Sequence, residues 1–404
     1  MMANSYTEIT KQSWENNIKT SVIGILMGFV LFVGAFLLLF WNEARTVHHI
    51  QTLEEGEKIV ISIDANQVEA DNDGKLVHLS GETTTDETLT DPKFGVKVTN
   101  VIKLRRVVDM YQWQEKKRSE LEELWGNNET VMTYIYSKTW ADHFIDARKF
   151  KQPNGHRNPY DMLMTGETSI AERATLGKFT LSPSLVKHLN NYQKLNMTEE
   201  KFEQMSDKLR TQFQGKLLHL NYGEYYVGEE ATQPQIGDLR IKFEIVKLTT
   251  ISVVAKQDNS SLSFYVTPEV GGHIELFEYG SVSAEEMFEH AKIFNTLLTW
   301  ILRAAGFLVM FIGLSMIFNA LKTLSAFISF LDNLVGLVGW FISFIVATTL
   351  SFVAIAIAWI HYRPVLGTTL LVMGSVFLYF LKFARKKPPP EKPTLVPETV
   401  VPPK

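Results

Sequence analysis

Hydrophobicity in this chain is segregated: one uncharged apolar run near the N-terminus, three more in the C-terminal quarter, and about 250 water-compatible residues between them. Val22 to Trp41 reads VIGILMGFVLFVGAFLLLFW, long enough at about 1.5 Å per residue to cross a hydrocarbon core of about 30 Å. A cleaved signal peptide has a shorter apolar core and a small-residue cleavage site. This run instead leaves through Phe40, Trp41, Asn42 and Glu43, and reads as a retained anchor. Three further spans are expected at 297–321, 334–360 and 365–381, the last two joined by an outer turn at 361–364. Four crossings place both ends of the chain on one side. Lys382, Arg385, Lys386 and Lys387 crowd the exit of the last span, and the bias of basic residues towards the cytoplasm assigns that side to residues 1–21 and 382–404. The expected fold is therefore an α+β membrane protein with four transmembrane helices and a large β-rich extracytoplasmic domain.

Within that domain, period-two stretches such as KIVISI at 58–63, KLVHLS at 75–80 and DLRIKFEIVKLTTISVVAK at 238–256 read as strands. Ser182 with Pro183 marks the start of one helix, and Thr198 with Glu199 and Glu200 the start of another. GKLVHL at 74–79 returns as GKLLHL at 215–220, so two duplicated β units are expected, 42–180 and 181–296. From Ser283 the pattern turns helical and carries no Pro before the second span, which predicts either one continuous helix into the membrane or a kink near Asn295.

Signatures of chemistry are sparse. The net charge is −4 and the chain has no cysteine, which excludes a basic nucleic-acid surface and any thiolate or disulfide chemistry. No HExxH pair, phosphate-binding glycine loop or G-x-S-x-G elbow is present, so no catalytic, metal or cofactor site is expected. His78 and His219 sit at equivalent places in the echoed strands and read as structural. Arg303 lies about two turns inside the second span, where a charge costs about 2.5–3.5 kcal/mol at the bilayer centre. It is expected either to reach outward to lipid phosphates or to pair inside the bundle with His361, Thr348, Thr349 or Ser351. Lys322, Ser325, Ser329 and Asp332 form a polar stripe, which predicts an interfacial amphipathic helix over 322–333. Gly24 with Gly28, and Ala347 with Ser351, are small-residue pairs suited to helix packing. The Pro-rich tail is expected to be extended, with its basic cluster against anionic lipid.

FWNEAR at 40–45, GKLVHLSG at 74–81, KLRRVVDMYQW at 103–113, GHRNP at 155–159, SAEEMF at 283–288 and TWILRAAGFLVMFIGL at 299–314 occur in one order along the chain. In this respect the chain resembles the transmembrane protein 43 (LUMA) family. The resemblance implies one N-terminal span, a large extracytoplasmic domain and three C-terminal spans. It further implies self-association and a role as an organiser of membrane protein complexes, which in animals sit in the endoplasmic reticulum and inner nuclear membrane and involve lamins and emerin. For prokaryotic members it implies a response to membrane disturbance, and it brings no enzyme activity.

The functional expectation is a non-enzymatic membrane scaffold that self-associates, with membrane lipids and membrane proteins as partners. Its expected place is a bacterial inner membrane with a periplasmic domain, or the endoplasmic reticulum and inner nuclear membrane if the source is eukaryotic. A lipid-modifying enzyme using Arg303 and His361 is the first rival, and an oligomeric channel or transporter the second.

Overall fold

The computed structural model describes residues 5–11, 14–124, 127–203, 213, 216–325, 332–365, 367–369, 372 and 376. The described α-helices include α1 (Trp14–Ile59), α2 (Pro183–His188), α3 (Glu199–Glu203), α4 (Ala284–Ser325) and α5 (Asp332–Tyr362). Three of them, α1, α4 and α5, contain stretches long and apolar enough to cross a membrane. The expected spans 297–321 and 334–360 lie inside α4 and α5. Of the fourth, 365–381, residues 365, 367–369, 372 and 376 are described and are helical, and the rest lies outside the described residues, as do Lys382, Arg385, Lys386, Lys387 and the rest of the tail.

Two sheets make up the β domain. The larger runs in the order Ser5–Lys11, Asn127–Ala141, Val101–Leu124, Leu239–Lys247, Glu224–Val227, Leu218–Asn221, with Glu167–Ile170 and Gln193–Leu195 paired beside it. Its strand Leu239–Lys247 turns Leu239, Ile241, Phe243 and Ile245 inward and Arg240, Lys242 and Glu244 outward, the alternation of a sheet with one face on the core. The second sheet closes a ring. Thr250–Asp258 pairs with Ser261–Ser263, the path continues through Phe179–Thr180 and Thr175–Leu176 to Leu76–Thr84, and that strand pairs back onto Thr250–Asp258. Val77, Leu79, Leu176, Phe179, Val253 and Leu262 fill the core of this ring.

The expected division into units 42–180 and 181–296 is corrected by this topology. Val101–Leu124 bonds to Leu239–Lys247, and Leu76–Thr84 to Thr250–Asp258, so each sheet is built from both halves. The echoed segments are not equivalent either: Leu76–Thr84 lies in the ring, whereas Leu218–Asn221 is the outer strand of a hairpin at the end of the other sheet. A short sequence match sets strand propensity; partners across the sheet set place.

Ser182 caps α2 by accepting a hydrogen bond from the Leu185 amide at 3.1 Å, as its sequence implies. α4 is unbroken from Ala284 to Ser325, as expected of one helix continuing from the domain into the second span. The expected interfacial helix over 322–333 differs. Lys322 to Ser325 form the last turn of α4 and Asp332 opens α5, while 326–331 lie outside the described residues. Nothing between Gly313 and Ser325 stops the helix, since that stretch holds neither Gly nor Pro.

Strand Ser5–Lys11 also differs from expectation. It lies antiparallel to Asn127–Ala141, with Ser5 opposite Ile135 and Lys11 opposite Glu129, so in this structure the N-terminal residues stand with the domain. The exposed edge of Asn127–Ala141 offers a row of free backbone groups that a nearby extended segment satisfies.

Candidate functional site

α1 and α4 run antiparallel and in contact from the membrane to the domain. Gly24 faces Ala320, Gly28 faces Gly313, Leu39 faces Gly306, and further out Lys292 pairs with Glu57. At Gly28 a Cβ would meet the Gly313 carbonyl oxygen at 2.6 Å, and at Gly313 one would meet the Gly28 carbonyl at 2.7 Å. Only glycine lets the two backbones pass so closely. α5 lays Ala347, Ser351, Ala354 and Ala358 into this pair, all buried, with the Ser351 hydroxyl 3.5 Å from the Met310 sulfur. The small-residue pairs read in the sequence thus lie at helix contacts within one chain.

The aromatic residues set the depth of the bundle. Trp41 on α1, Trp300 on α4 and Trp359 on α5 stand near one level, and Trp340 lies about 29 Å from Trp359 by helical rise, close to the hydrocarbon thickness. At the domain-side boundary so marked, three helices converge on one carboxylate. Glu43, 1% exposed, accepts two hydrogen bonds from Arg303, at 2.7 Å from Nε and 2.9 Å from Nη2, and a third at 2.7 Å from the Trp359 indole N–H. The Arg303 guanidinium lies 4.7 Å from the Trp300 ring centre and 5.6 Å from that of Trp359. Arg303 is therefore paired inside the bundle. Its partner is neither His361 nor a hydroxyl of α5 but Glu43, 260 positions earlier in the chain. His361 stands apart from this pair, with Phe40 at 6.5 Å and Tyr362 at 4.6 Å between ring centres.

One turn further out lies a second polar layer that the sequence reading passed over. Asn42 and Thr46 on α1 meet Asn295 and Thr299 on α4 with local two-fold symmetry. Asn42 Nδ2 donates to the Thr299 carbonyl at 3.2 Å and Asn295 Nδ2 to the Thr46 carbonyl at 3.3 Å, while the two threonine hydroxyls lie 2.7 Å apart. Each hydroxyl is also 2.7 Å from the carbonyl oxygen four residues before it. The signal was present as the same N-x-x-x-T spacing at 42–46 and 295–299. Above this layer the stalk grips the domain: the Glu55 carboxylate accepts from the amides of Glu269 and Val270 at 2.9 and 3.0 Å.

In the domain, the run KLRR divides as a strand requires. Arg105 pairs across the strand with Glu244 and stacks 3.7 Å from the Tyr192 ring centre. Arg106, buried, is paired with Asp91 and Glu167 and donates to the Thr165 carbonyl. His78 Nε2 lies 2.9 Å from the Val282 carbonyl, which can only accept, so Nε2 carries the proton and Nδ1 accepts from Ser62 at 3.1 Å. Burial pushes this imidazole below its usual range, against a smaller upward pull from the Val282 carbonyl. His219 bonds elsewhere, with Nε2 2.9 Å from the Gly228 carbonyl. Among the described residues no cluster of three or more His, Asp or Glu is arranged to hold a metal ion.

The family model for transmembrane protein 43 matches residues 110–364. The chain belongs to the transmembrane protein 43 family. It is 31% identical to transmembrane protein 43 of Homo sapiens over 380 residues, and 30% identical to that of Mus musculus over the same length, with 91% of each chain covered in both cases. The transmembrane protein 43 homolog of Drosophila melanogaster is 30% identical over 369 residues, covering 88% of this chain and 94% of the fly protein. No solved structure matches the chain. The family name agrees with a protein integral to a membrane.

Proposed function

We propose that the protein is a non-enzymatic membrane scaffold that self-associates and transmits the state of the bilayer to its β domain. The observation that carries this reading is the continuity of α1 and α4 from the membrane into the domain, clasped on the way by Glu43, Arg303 and Trp359. A tilt of the spans has no joint in which to be absorbed, so it becomes a tilt of the domain. Against a lipid-modifying enzyme, Nε and one terminal nitrogen of Arg303 are already committed to Glu43, and among the described residues His361 makes no hydrogen bond or ion pair with either. Self-association is tested by extraction in mild detergent and mass measurement: assemblies larger than one chain are expected, and a particle that stays monomeric in native lipid would overturn the reading.

The proposal includes four crossings, with the domain outside and both ends cytoplasmic in a bacterial inner membrane. A chain threaded in this way cannot keep the ladder between Ser5–Lys11 and Asn127–Ala141, because a bilayer would pass between its strands. Magnitudes decide which yields. Seven ladder positions are worth about 4–10 kcal/mol at 0.5–1.5 kcal/mol per hydrogen bond. On α1, Val22, Ile23, Leu26, Phe29, Val30 and Leu37 stand 47–62% exposed. Removing roughly 100 Å² of each from water gains on the order of 15 kcal/mol, and α4 and α5 add their own exposed apolar faces. Insertion therefore parts the strand from the domain and carries the N-terminus across.

A further inference from the structure

With Arg303 spent on Glu43, a different arginine stands uncompensated at the membrane boundary. Arg45 lies on α1 one turn beyond Trp41, about 6 Å further out by helical rise, at the depth where headgroup phosphates meet the hydrocarbon. Its guanidinium carries five N–H donors in a rigid fork. Among the described residues it makes two long contacts, from Nη2 to the Thr299 hydroxyl at 3.4 Å and to the Thr46 hydroxyl at 3.5 Å, and both hydroxyls are already engaged in tighter bonds at 2.7 Å. Its Nε is shut off from solvent with no partner, and among the described residues no carboxylate pairs with it. A half-buried guanidinium with an unsatisfied N–H is costly unless an acceptor arrives. His49 stands one turn further along the same face of α1, its imidazole held below the usual range by burial and by Arg45, so this neighbour is a neutral ring rather than an acid that could compensate the guanidinium.

We propose that Arg45, backed by Thr46, Thr299 and His49, is a binding site for the phosphate of an anionic phospholipid in the leaflet next to the domain. The fork of a guanidinium matches two phosphate oxygens, which a carbonyl or a single water cannot do. The site commits to lipid rather than free anion because exposed Trp41 and Trp300 stand beside it at the boundary, where they receive the glycerol and upper acyl chain of the same molecule. Glu43, Arg303 and Trp359 hold the helices below it, so lipid occupancy acts on the same junction that joins spans to domain.

The test uses the full chain with the tail cluster neutralised by K382Q, R385Q, K386Q and K387Q, so that binding on the cytoplasmic face does not mask the site. Phosphatidylglycerol and phosphatidylcholine are titrated into the detergent-solubilised protein, and bound lipid is counted by native mass spectrometry. Arg45→Gln is expected to weaken phosphatidylglycerol binding about tenfold, the scale of one charge-assisted pair, and Arg45→Lys to weaken it less, since it keeps the charge and loses the fork. Added inorganic phosphate at millimolar concentration is expected to leave the lipid bound. Unchanged affinity in Arg45→Gln overturns the proposal. Should that variant not fold, unchanged affinity in Arg45→Lys does the same. Displacement of the lipid by inorganic phosphate would show a free-anion site and refute the lipid assignment.

Discussion

A single carboxylate organises the membrane end of this molecule. Glu43 is buried, and what makes that tolerable is three donors from two other helices, two of them on a cation. Removing one member of a buried pair leaves the other unpaired, a loss of about 3–5 kcal/mol, whereas removing both is far milder. Glu43→Gln and Arg303→Gln should therefore each lower stability in lipid nanodiscs strongly. The double variant should lie closer to the wild type than the sum of the two, and strict additivity in a double-mutant cycle would show that the pair does not act as a unit. His78 gives a prediction in pH. Its folded pKa is held below the unfolded one by burial, so the neutral imidazole favours the folded state. That contribution is complete above the unfolded value of about 6.5 and declines as pH falls below it. The domain's unfolding midpoint should drop more steeply between pH 7 and 5 in the wild type than in His78→Asn; parallel curves would mean that His78 does not titrate on unfolding. Arg303 was legible as an anomaly from its place in an apolar run. Its partner was not, because Glu43 at the end of the first run looks like an ordinary exit residue until the antiparallel pairing of α1 and α4 sets it against position 303.

At the level of elements, what the chain declares plainly is what local pattern controls. The apolar cores of α1, α4 and α5 follow from composition, α2 from its Ser182 cap and Pro183, and Leu239–Lys247 from strict alternation. Extent was less legible. α1 continues through the polar residues 42–59, and Val101–Leu124 continues through the charged run QEKKRSELEEL, because cross-helix and cross-strand partners sustain elements whose own composition is weak. How the hairpins combine into sheets was not legible, since the ladders that join Val101–Leu124 to Leu239–Lys247 and Leu76–Thr84 to Thr250–Asp258 link residues more than a hundred positions apart. The close pass at Gly28 and Gly313 carries its own prediction. Gly28→Leu has no space beside the Gly313 carbonyl and Ile317, so it should force α1 and α4 apart and destabilise the bundle, as seen by faster amide exchange in residues 299–313. Exchange equal to the wild type would mean that the helices separate without cost. Two glycines inserted after Ile293 should instead leave each half folded and break the rigid link, so that domain unfolding no longer responds to bilayer thickness.

Across the molecule as a whole, a β domain is joined to a bundle of membrane helices through one polar junction, and the proposed topology requires the N-terminal strand to leave its ladder when α1 enters the bilayer. The chain holds no cysteine, so single cysteines report position without interference. Tyr160, 89% exposed in the domain, and Thr7, in the N-terminal strand, are suitable sites. In sealed right-side-out membranes a membrane-impermeant maleimide should label Tyr160→Cys at once and Thr7→Cys only after permeabilisation. Labelling of both from the same side would contradict the crossing of α1, and with it the placement of Glu43, Arg303 and Trp359 at the boundary between domain and bilayer.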